Sequence, residues 1–457
     1  MQRRLPRRRD ARAITVEVMN MIDLRNMTSR ENSPRARIIV VGDGRVGLRF
    51  CQKMVELDLH HEYELIVFSE ERLPAYDRHA LAAYGQHRND EQLLLAPTSW
   101  YAEHGITLHL SDRILKIDRG ERQILSSRGE ALTYDRLVLA TGSYSYVPSI
   151  VGNEQQGIHL FRSIKDMERI IADREHCRSV AVIGGGLFGL EAAKAVFDLG
   201  LKTHIIESAP WLMQHQLDET GAACLREFIE AQGVEVHLNK TTTDIRGNGT
   251  RVTGLGFQDE TGVDVDMVVF AAGIRPRDEL GRICQLDIHS DGGIVVNNQL
   301  QTSDPHIYAI GKAAWHPDLM CGLVSPGCQM ADVLAANLTG TPTDFTGIEQ
   351  AVNRNIMGVN IACFGDEIFS GSDFESVTWR DPGRGIYRKL YINPQGTRIL
   401  GGILVGDTSD YDRLLSLMKT EQTLTCSVEE LLKNEASTSE TSTTLAPPSP
   451  KLTRKVV

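Results

Sequence analysis

Ile38-Ile39-Val40-Val41-Gly42-Asp43-Gly44-Arg45-Val46-Gly47 reads as an apolar strand that runs into G-x-G-x-x-G and then a helix. Val180-Ala181-Val182-Ile183-Gly184-Gly185-Gly186-Leu187-Phe188-Gly189 repeats this order about one domain later. One such stretch is weak evidence, because glycine-rich turns are common. Two, each in strand–turn–helix context and each followed by an acid at the next strand, point to two dinucleotide sites. A chain that holds two dinucleotides is suited to moving electrons from one to the other.

Each glycine has its own task. Gly42 and Gly184 make the tight turns, Gly44 and Gly186 let the backbone approach a pyrophosphate, and Gly47 and Gly189 let helix and strand pack closely. The helix N-terminus adds free N–H groups and a partial positive charge. Glu70, just past the strand at 63–68, is placed to accept hydrogen bonds from ribose hydroxyls. Glu207 ends the corresponding strand of the second unit. A carboxylate there binds a 2′-hydroxyl and repels a 2′-phosphate, and Ser208-Ala209-Pro210 brings no basic side chain, so NADH is expected over NADPH. Glu191, on the new helix, either reaches the nicotinamide carboxamide or faces solvent.

The fingerprints order the rest of the chain. Residues 36–145 begin with strand 37–41, helix 46–57 and strand 63–68, and close at Leu137-Val138-Leu139-Ala140-Thr141-Gly142. Residues 146–269 repeat this with strand 179–183, helix 187–199 and strand 202–206, and lead into Val268-Val269-Phe270-Ala271-Ala272-Gly273. The architecture is internally duplicated. Asp304-Pro305-His306-Ile307-Tyr308-Ala309-Ile310-Gly311 is a third strand entering a glycine turn, with a helix expected at 327–338. Short strands at Tyr387–Ile392 and Leu400–Val405 and a helix at Tyr411–Lys419 make 345–420 a smaller α+β domain. Residues 1–35 and the Ser/Thr/Pro-rich 434–457 lack apolar residues to bury and are expected to be disordered tails.

Composition sets limits. A chain of 457 residues holds two or three domains, and 41% hydrophobic residues is ordinary for a globular protein. A net charge of −11 argues against nucleic acid or an acidic membrane as a general partner. No apolar run approaches the roughly 20 residues that span a bilayer. The arginine cluster at 3–12 is not followed by an apolar signal core, so it reads as a solvated tail or as sequence ahead of a true start at Met27. The eight cysteines form no C-x-x-C pair and no zinc spacing with histidine, which fits a reduced, cytoplasmic location. Cys321 and Cys328 are the closest pair and are read as packing residues.

The order fingerprint, Tyr76-Asp77-Arg78, Ala140-Thr141-Gly142, fingerprint, Ala271-Ala272-Gly273, Tyr308-Ala309-Ile310-Gly311 resembles the glutathione-reductase-like flavoproteins of the pyridine nucleotide-disulphide oxidoreductase superfamily. Ala140-Thr141-Gly142-Ser143-Tyr144, Gly273-Ile274-Arg275-Pro276-Arg277-Asp278 and Val405-Gly406-Asp407-Thr408-Ser409-Asp410-Tyr411 are similar to the flavin-containing N-terminal half of the assimilatory NAD(P)H nitrite reductase large subunit. The resemblance covers about residues 36–420. It implies an α/β fold with two Rossmann-like domains and a small α+β C-terminal domain. Residues 36–145 and 270–340 would hold FAD through Gly42, Gly44, Gly47, Glu70, Arg78, Ala140, Thr141, Gly142, Gly311 and Lys312. Residues 146–269 would hold NAD(P)H through Gly184, Gly186, Gly189, Glu191, Glu207 and Gly273. Arg78 would fork onto the pyrophosphate, its alternative being a surface salt bridge. In such proteins the flavin does the electronic work, so no catalytic side chain is required and His79 need not be a base.

Departures from the family refine the expectation. Iron–sulfur and sirohaem portions, which need grouped thiolates, are not found here. A stand-alone reductase is expected, feeding a separate acceptor protein such as a nitrite or nitrate reductase module or an iron–sulfur carrier. No cysteine lies between Cys51 and Cys177, which removes the redox cysteines of disulphide-, peroxide- and coenzyme A disulphide-reducing relatives. Lys312 stands where the family has an acid that accepts from the ribityl chain, and an ammonium has no acceptor, so weaker FAD binding is expected. An NADH oxidase or a ferredoxin/rubredoxin-type reductase is the alternative enzyme. A nucleotide-binding sensor or scaffold without turnover is the alternative of another class. A homodimer through the third domain follows from fold analogy alone.

Overall fold

Parallel strands covered on both faces must be apolar along their whole length. Ile38, Ile39 and Val40 are fully buried, and so are Val180, Ala181 and Val182, which puts both fingerprint strands at sheet centres. The computed structural model describes residues 35–318, 325–347, 351–365, 374–425, 427–433 and 451–456. All of the expected tail at 1–35 except residue 35, residues 434–450 and 457 of the expected tail at 434–457, Cys321 and Cys426 lie outside the described residues.

The first sheet has five parallel strands in the order 307–309, 136–139, 36–41, 63–68, 107–109. The second repeats the plan with 235–237, 202–206, 179–183, 267–270, 158–160. An antiparallel three-stranded meander accompanies each, at 114–133 and 242–263. The chain crosses between the two halves twice, at 143–145 and 274–276, and these crossings pair as a two-stranded antiparallel ribbon. The first half is thus completed by residues that follow the second half in sequence.

Helix Ser325–Leu338 returns to the first fingerprint. A Cβ on Gly327 would meet Val46 at 2.8 Å and the Gly311 backbone at 3.1 Å, so this close approach needs glycine. Helix Ile164–Asp173 starts at a capping box in which Ser163 and Asp166 satisfy each other's backbone N–H groups.

The C-terminal sheet is antiparallel, in the order 351–356, 359–364, 399–406, 386–392, 375–381, 451–456. Two features correct the expected limit at residue 420 and the expected tail from 434. Helix Val428–Lys433 buries Val428, Leu431 and Leu432, and Lys451–Val456 pairs with 375–380 as an edge strand. The Ser/Thr/Pro bias masks a short stretch, Lys451-Leu452-Thr453-Arg454-Lys455-Val456, that follows the prolines and carries apolar Leu452 and Val456 four positions apart. Buried Arg388 holds Asp407 at 2.6 Å and Asp410 at 2.9 Å, so two acids of the Val405–Tyr411 string clamp this sheet to the helix that follows. Asp218 caps helix Glu219–Ala231 by accepting from the Gly221 N–H. It also accepts from the Tyr387 hydroxyl at 2.6 Å and Lys389 Nζ at 2.9 Å, which ties the C-terminal sheet to the second half.

Candidate functional site

The two fingerprint turns have the same division of labour among their glycines. Gly42 has φ +113°, and a Cβ there would meet the Ala140 carbonyl at 2.3 Å. Gly184 has φ +118°, and its Cβ would meet the Ala271 carbonyl at 2.5 Å. Cβ atoms on Gly47 and Gly189 would lie 2.0 and 1.8 Å from the carbonyls of Gly42 and Gly184. Gly44 and Gly186 differ: each is the N-cap of the helix that follows, and a Cβ on either meets nothing within 4 Å. The turn glycines are fixed by the fold, whereas the middle glycines border open space at a helix N-terminus. A diphosphate fits both cradles.

Asp43, between the first two glycines, was not singled out by sequence. It is buried, and it accepts from the Tyr101 hydroxyl at 2.8 Å and the Ala75 N–H at 3.0 Å. Burial pushes its carboxyl up to about 6. Its only sequence signal is an acid in a turn that serves phosphates. It pins the 74–76 loop and helix Thr98–Glu103 to the fingerprint.

Loop 70–79 places a charged network along the first half. Glu70 pairs with Arg277, whose N–H donates to the Gly142 carbonyl at 2.9 Å. Thr141 Oγ1 donates to the Arg277 carbonyl at 2.6 Å. Arg78 donates to Glu71 at 2.5 Å, to the Tyr76 hydroxyl at 3.0 Å and to the Arg162 carbonyl at 2.8 Å, so its guanidinium is engaged in a partly buried cluster. Glu71 is raised by burial but lowered more by Arg78 and the Tyr76 hydroxyl, so it stays below the usual carboxylate range. Arg162 donates to Ser143, and burial followed by the neighbouring Arg78 and Arg277 brings its guanidinium down to about 10. Three guanidiniums against two carboxylates leave an excess of positive charge that suits an anion. Arg162 and Arg277 were missed because their partners Arg78 and Glu70 are distant in sequence, although Arg277 sits in one of the strings that carries the resemblance; Glu71 was missed although its partners Tyr76 and Arg78 are close by.

Glu207 braces its own fingerprint. It accepts from the Gly185 N–H at 2.6 Å and the Ala209 N–H at 2.8 Å. The fold therefore holds its carboxylate at the second cradle.

The halves meet at a pocket lined by Arg78, Leu81, Phe161, Phe188, Glu191 and Gly273, among others. Glu191 is mostly buried and lies 2.7 Å from His79 Nδ1, which excludes the solvent-facing alternative. The Phe188 ring stacks on His79 at 6.1 Å, with Lys312 Nζ 5.1 Å above it. Two groups of the first half thus hold an aromatic ring and an acid of the second fingerprint helix. Gly311, with φ +67°, turns the chain so that Lys312 reaches this point.

None of the described thiols lines this pocket. Cys51, Cys177, Cys224, Cys284, Cys328 and Cys363 are free, and burial pushes all of them up, Cys363 to about 12. Among the described residues no helix is long and apolar enough to cross a membrane.

Residues 36–339 match the pyridine nucleotide-disulphide oxidoreductase family, and residues 353–422 match the rubredoxin NAD+ reductase C-terminal domain. The nitrite reductase [NAD(P)H] large subunit of Klebsiella oxytoca is 42% identical over 395 residues, covering 86% of this chain and 41% of that protein. The assimilatory nitrate reductase electron transfer subunit of Bacillus subtilis is 32% identical over 406 residues, covering 88% of this chain and 52% of that protein. This chain therefore spans about half the length of the curated relatives it matches. Putidaredoxin reductase, solved in covalent complex with putidaredoxin, shares the fold at a TM-score of 0.76 and 22% identity, covering 88% of this chain and 97% of that one.

Proposed function

Because the chain belongs to the pyridine nucleotide-disulphide oxidoreductase family, we propose that it is an FAD-dependent, NADH-oxidising reductase that passes electrons to a separate protein, a nitrite or nitrate reductase module of nitrogen assimilation. The observation that carries this reading is an interdomain pocket lined by Arg78 of one half and by Phe188 and Glu191 of the other, with His79 against Glu191 and Lys312 over the Phe188 ring. Bound FAD would supply the acceptor for a hydride from the nicotinamide and the store from which electrons leave. Gly42, Gly44, Gly47, Glu70, Arg78, Ala140, Thr141, Gly142, Gly311 and Lys312 would hold it. Gly184, Gly186, Gly189, Glu207 and Gly273 would hold the nicotinamide nucleotide. The interdomain walls would exclude water and orient the rings.

NADH is favoured over NADPH by the fixed Glu207 carboxylate and the uncharged Ser208-Ala209-Pro210 that follows. The nitrogen-assimilation acceptor is favoured by the 42% identity to a nitrite reductase large subunit and the 32% identity to a nitrate reductase electron transfer subunit. An NADH oxidase or a rubredoxin-type reductase uses the same pocket with another acceptor. A nucleotide-binding scaffold without turnover is the reading that Lys312 favours. An anaerobic NADH titration of the purified protein discriminates these. Bleaching of a yellow protein, with reoxidation by a nitrite reductase module and not by oxygen, supports the proposal. A colourless protein that still binds NADH refutes it.

A further inference from the structure

The outer edge of the second sheet carries a cluster that the electron-transfer reading leaves unused. Strands 202–206 and 235–237 run parallel, with His204 opposite Glu235 and Ile206 opposite His237. His204 Nδ1 lies 3.1 Å from His237 Nε2 and 3.3 Å from Glu235 Oε2, and His237 Nε2 lies 3.8 Å from the same Oε2. The circle through these three atoms has a radius of about 2.0 Å, which is the length of a zinc–imidazole or zinc–carboxylate bond, about 2.0–2.2 Å. A tetrahedral ion with such bonds spaces its ligand atoms about 3.3–3.5 Å apart, the middle of the observed range.

We propose that His204, Glu235 and His237 form a divalent transition-metal site, best matched to zinc, with a fourth position open. Two imidazoles and a carboxylate suit a borderline cation of this kind. Lys202 Nζ takes Glu235 Oε1 at 2.8 Å and leaves Oε2 facing the histidines. Two other histidine–carboxylate clusters serve less well. Asp58 lies 3.7–4.0 Å from His60 and His61, and the Asp112 carboxylate beside His109 is already taken by Ser126, Ser127 and the Arg128 N–H.

The location gives the site a consequence. The Glu207 N–H donates to the His237 carbonyl at 2.9 Å. A metal here would staple the edge strand to the strand that ends in Glu207, the acid at the second cradle.

The test uses the full-length flavin-loaded protein, stripped with a chelator and dialysed against zinc, with cobalt as a spectroscopic probe. One zinc per chain is expected, together with tetrahedral cobalt bands to the red of the flavin. Glu235→Gln and His237→Gln lie at partly exposed positions. Loss of even an outer-shell partner costs roughly 10–100-fold in metal affinity, so each variant is expected to weaken binding more than tenfold. Lys202→Met, which removes a competing cation, is expected to tighten it. Flavin spectra and metal-free melting curves show whether each variant is folded. Absence of stoichiometric zinc in the folded wild type overturns the proposal, as does equal affinity in wild type and both ligand variants.

Discussion

Replacing Gly44 with alanine should separate folding from flavin binding. The residue has φ −91° and ψ −174°, extended backbone that alanine adopts freely. Its new methyl group meets no protein atom within 4 Å. The folding cost is then only that of alanine for glycine at an N-cap, on the order of 0.5–1 kcal/mol, and the apoprotein should melt within a few degrees of wild type. The methyl does, however, enter the space a phosphate oxygen needs to reach the helix N-terminus. Losing one hydrogen bond to a charged group costs about 1.5–3 kcal/mol, which raises Kd for FAD about 10- to 150-fold. Gly47→Ala is the contrast. Its Cβ would lie 2.0 Å from the Gly42 carbonyl, so helix and strand must part, at a cost of about 1–3 kcal/mol to the apoprotein itself. The assay is removal of flavin, fluorescence titration with FAD, and melting of each apoprotein. A Gly44→Ala apoprotein that binds FAD as tightly as wild type would refute the placement of the diphosphate at this turn.

Three further outcomes follow from the same structure. Gly186→Ala, also facing open space, should raise KM for NADH more than about tenfold while flavin content stays unchanged; loss of flavin instead would mean the two cradles are not separate. Lys312→Glu, which restores an acceptor at the turn and removes the ammonium from the Phe188 face, should tighten FAD by about tenfold or more; an unchanged Kd in the same fluorescence titration refutes this. Asp407→Asn leaves the buried Arg388 without one of its two carboxylates and should cost about 3–5 kcal/mol in denaturant unfolding at pH 7. Burial raises the Asp407 carboxyl, but the Ser409 N–H and Arg388 lower it more, so it ends below its ordinary 3.8. Its stabilising effect is therefore complete above pH 3.8 and fades as pH falls through the lower folded value, so wild type and variant should converge in acid. A difference that persists there would show that the loss comes from packing.

The division of labour along each fingerprint was legible because it is local. Strand, turn and helix N-terminus lie within ten residues, and the backbone alone decides where a Cβ can stand. The duplication was legible for the same reason, since each half announces itself with its own apolar strand and glycines. Helix Val428–Lys433 and strand 451–456 were lost because neither carries a long periodic pattern. Their burial and pairing come from a sheet formed by residues 351–406. Propensity cannot see a surface that folding creates.

The site shows the same limit at the level of side chains. Glu70 reads as a ribose acid from its place after a strand, yet its partner in the fold is Arg277, 207 positions away. Arg78 reads as a phosphate ligand from its neighbours, yet its three contacts are to Glu71, Tyr76 and the carbonyl of Arg162. Each guanidinium already has carboxylate or carbonyl partners in the folded chain, so an arriving diphosphate would exchange one set of charge-assisted bonds for another. The net gain from any one arginine is therefore smaller than its contact distance suggests. The open space beside Gly44, where nothing has to be given up, is the more dependable source of affinity. This is why a methyl group at Gly44 should matter more to flavin binding than loss of charge at Arg78.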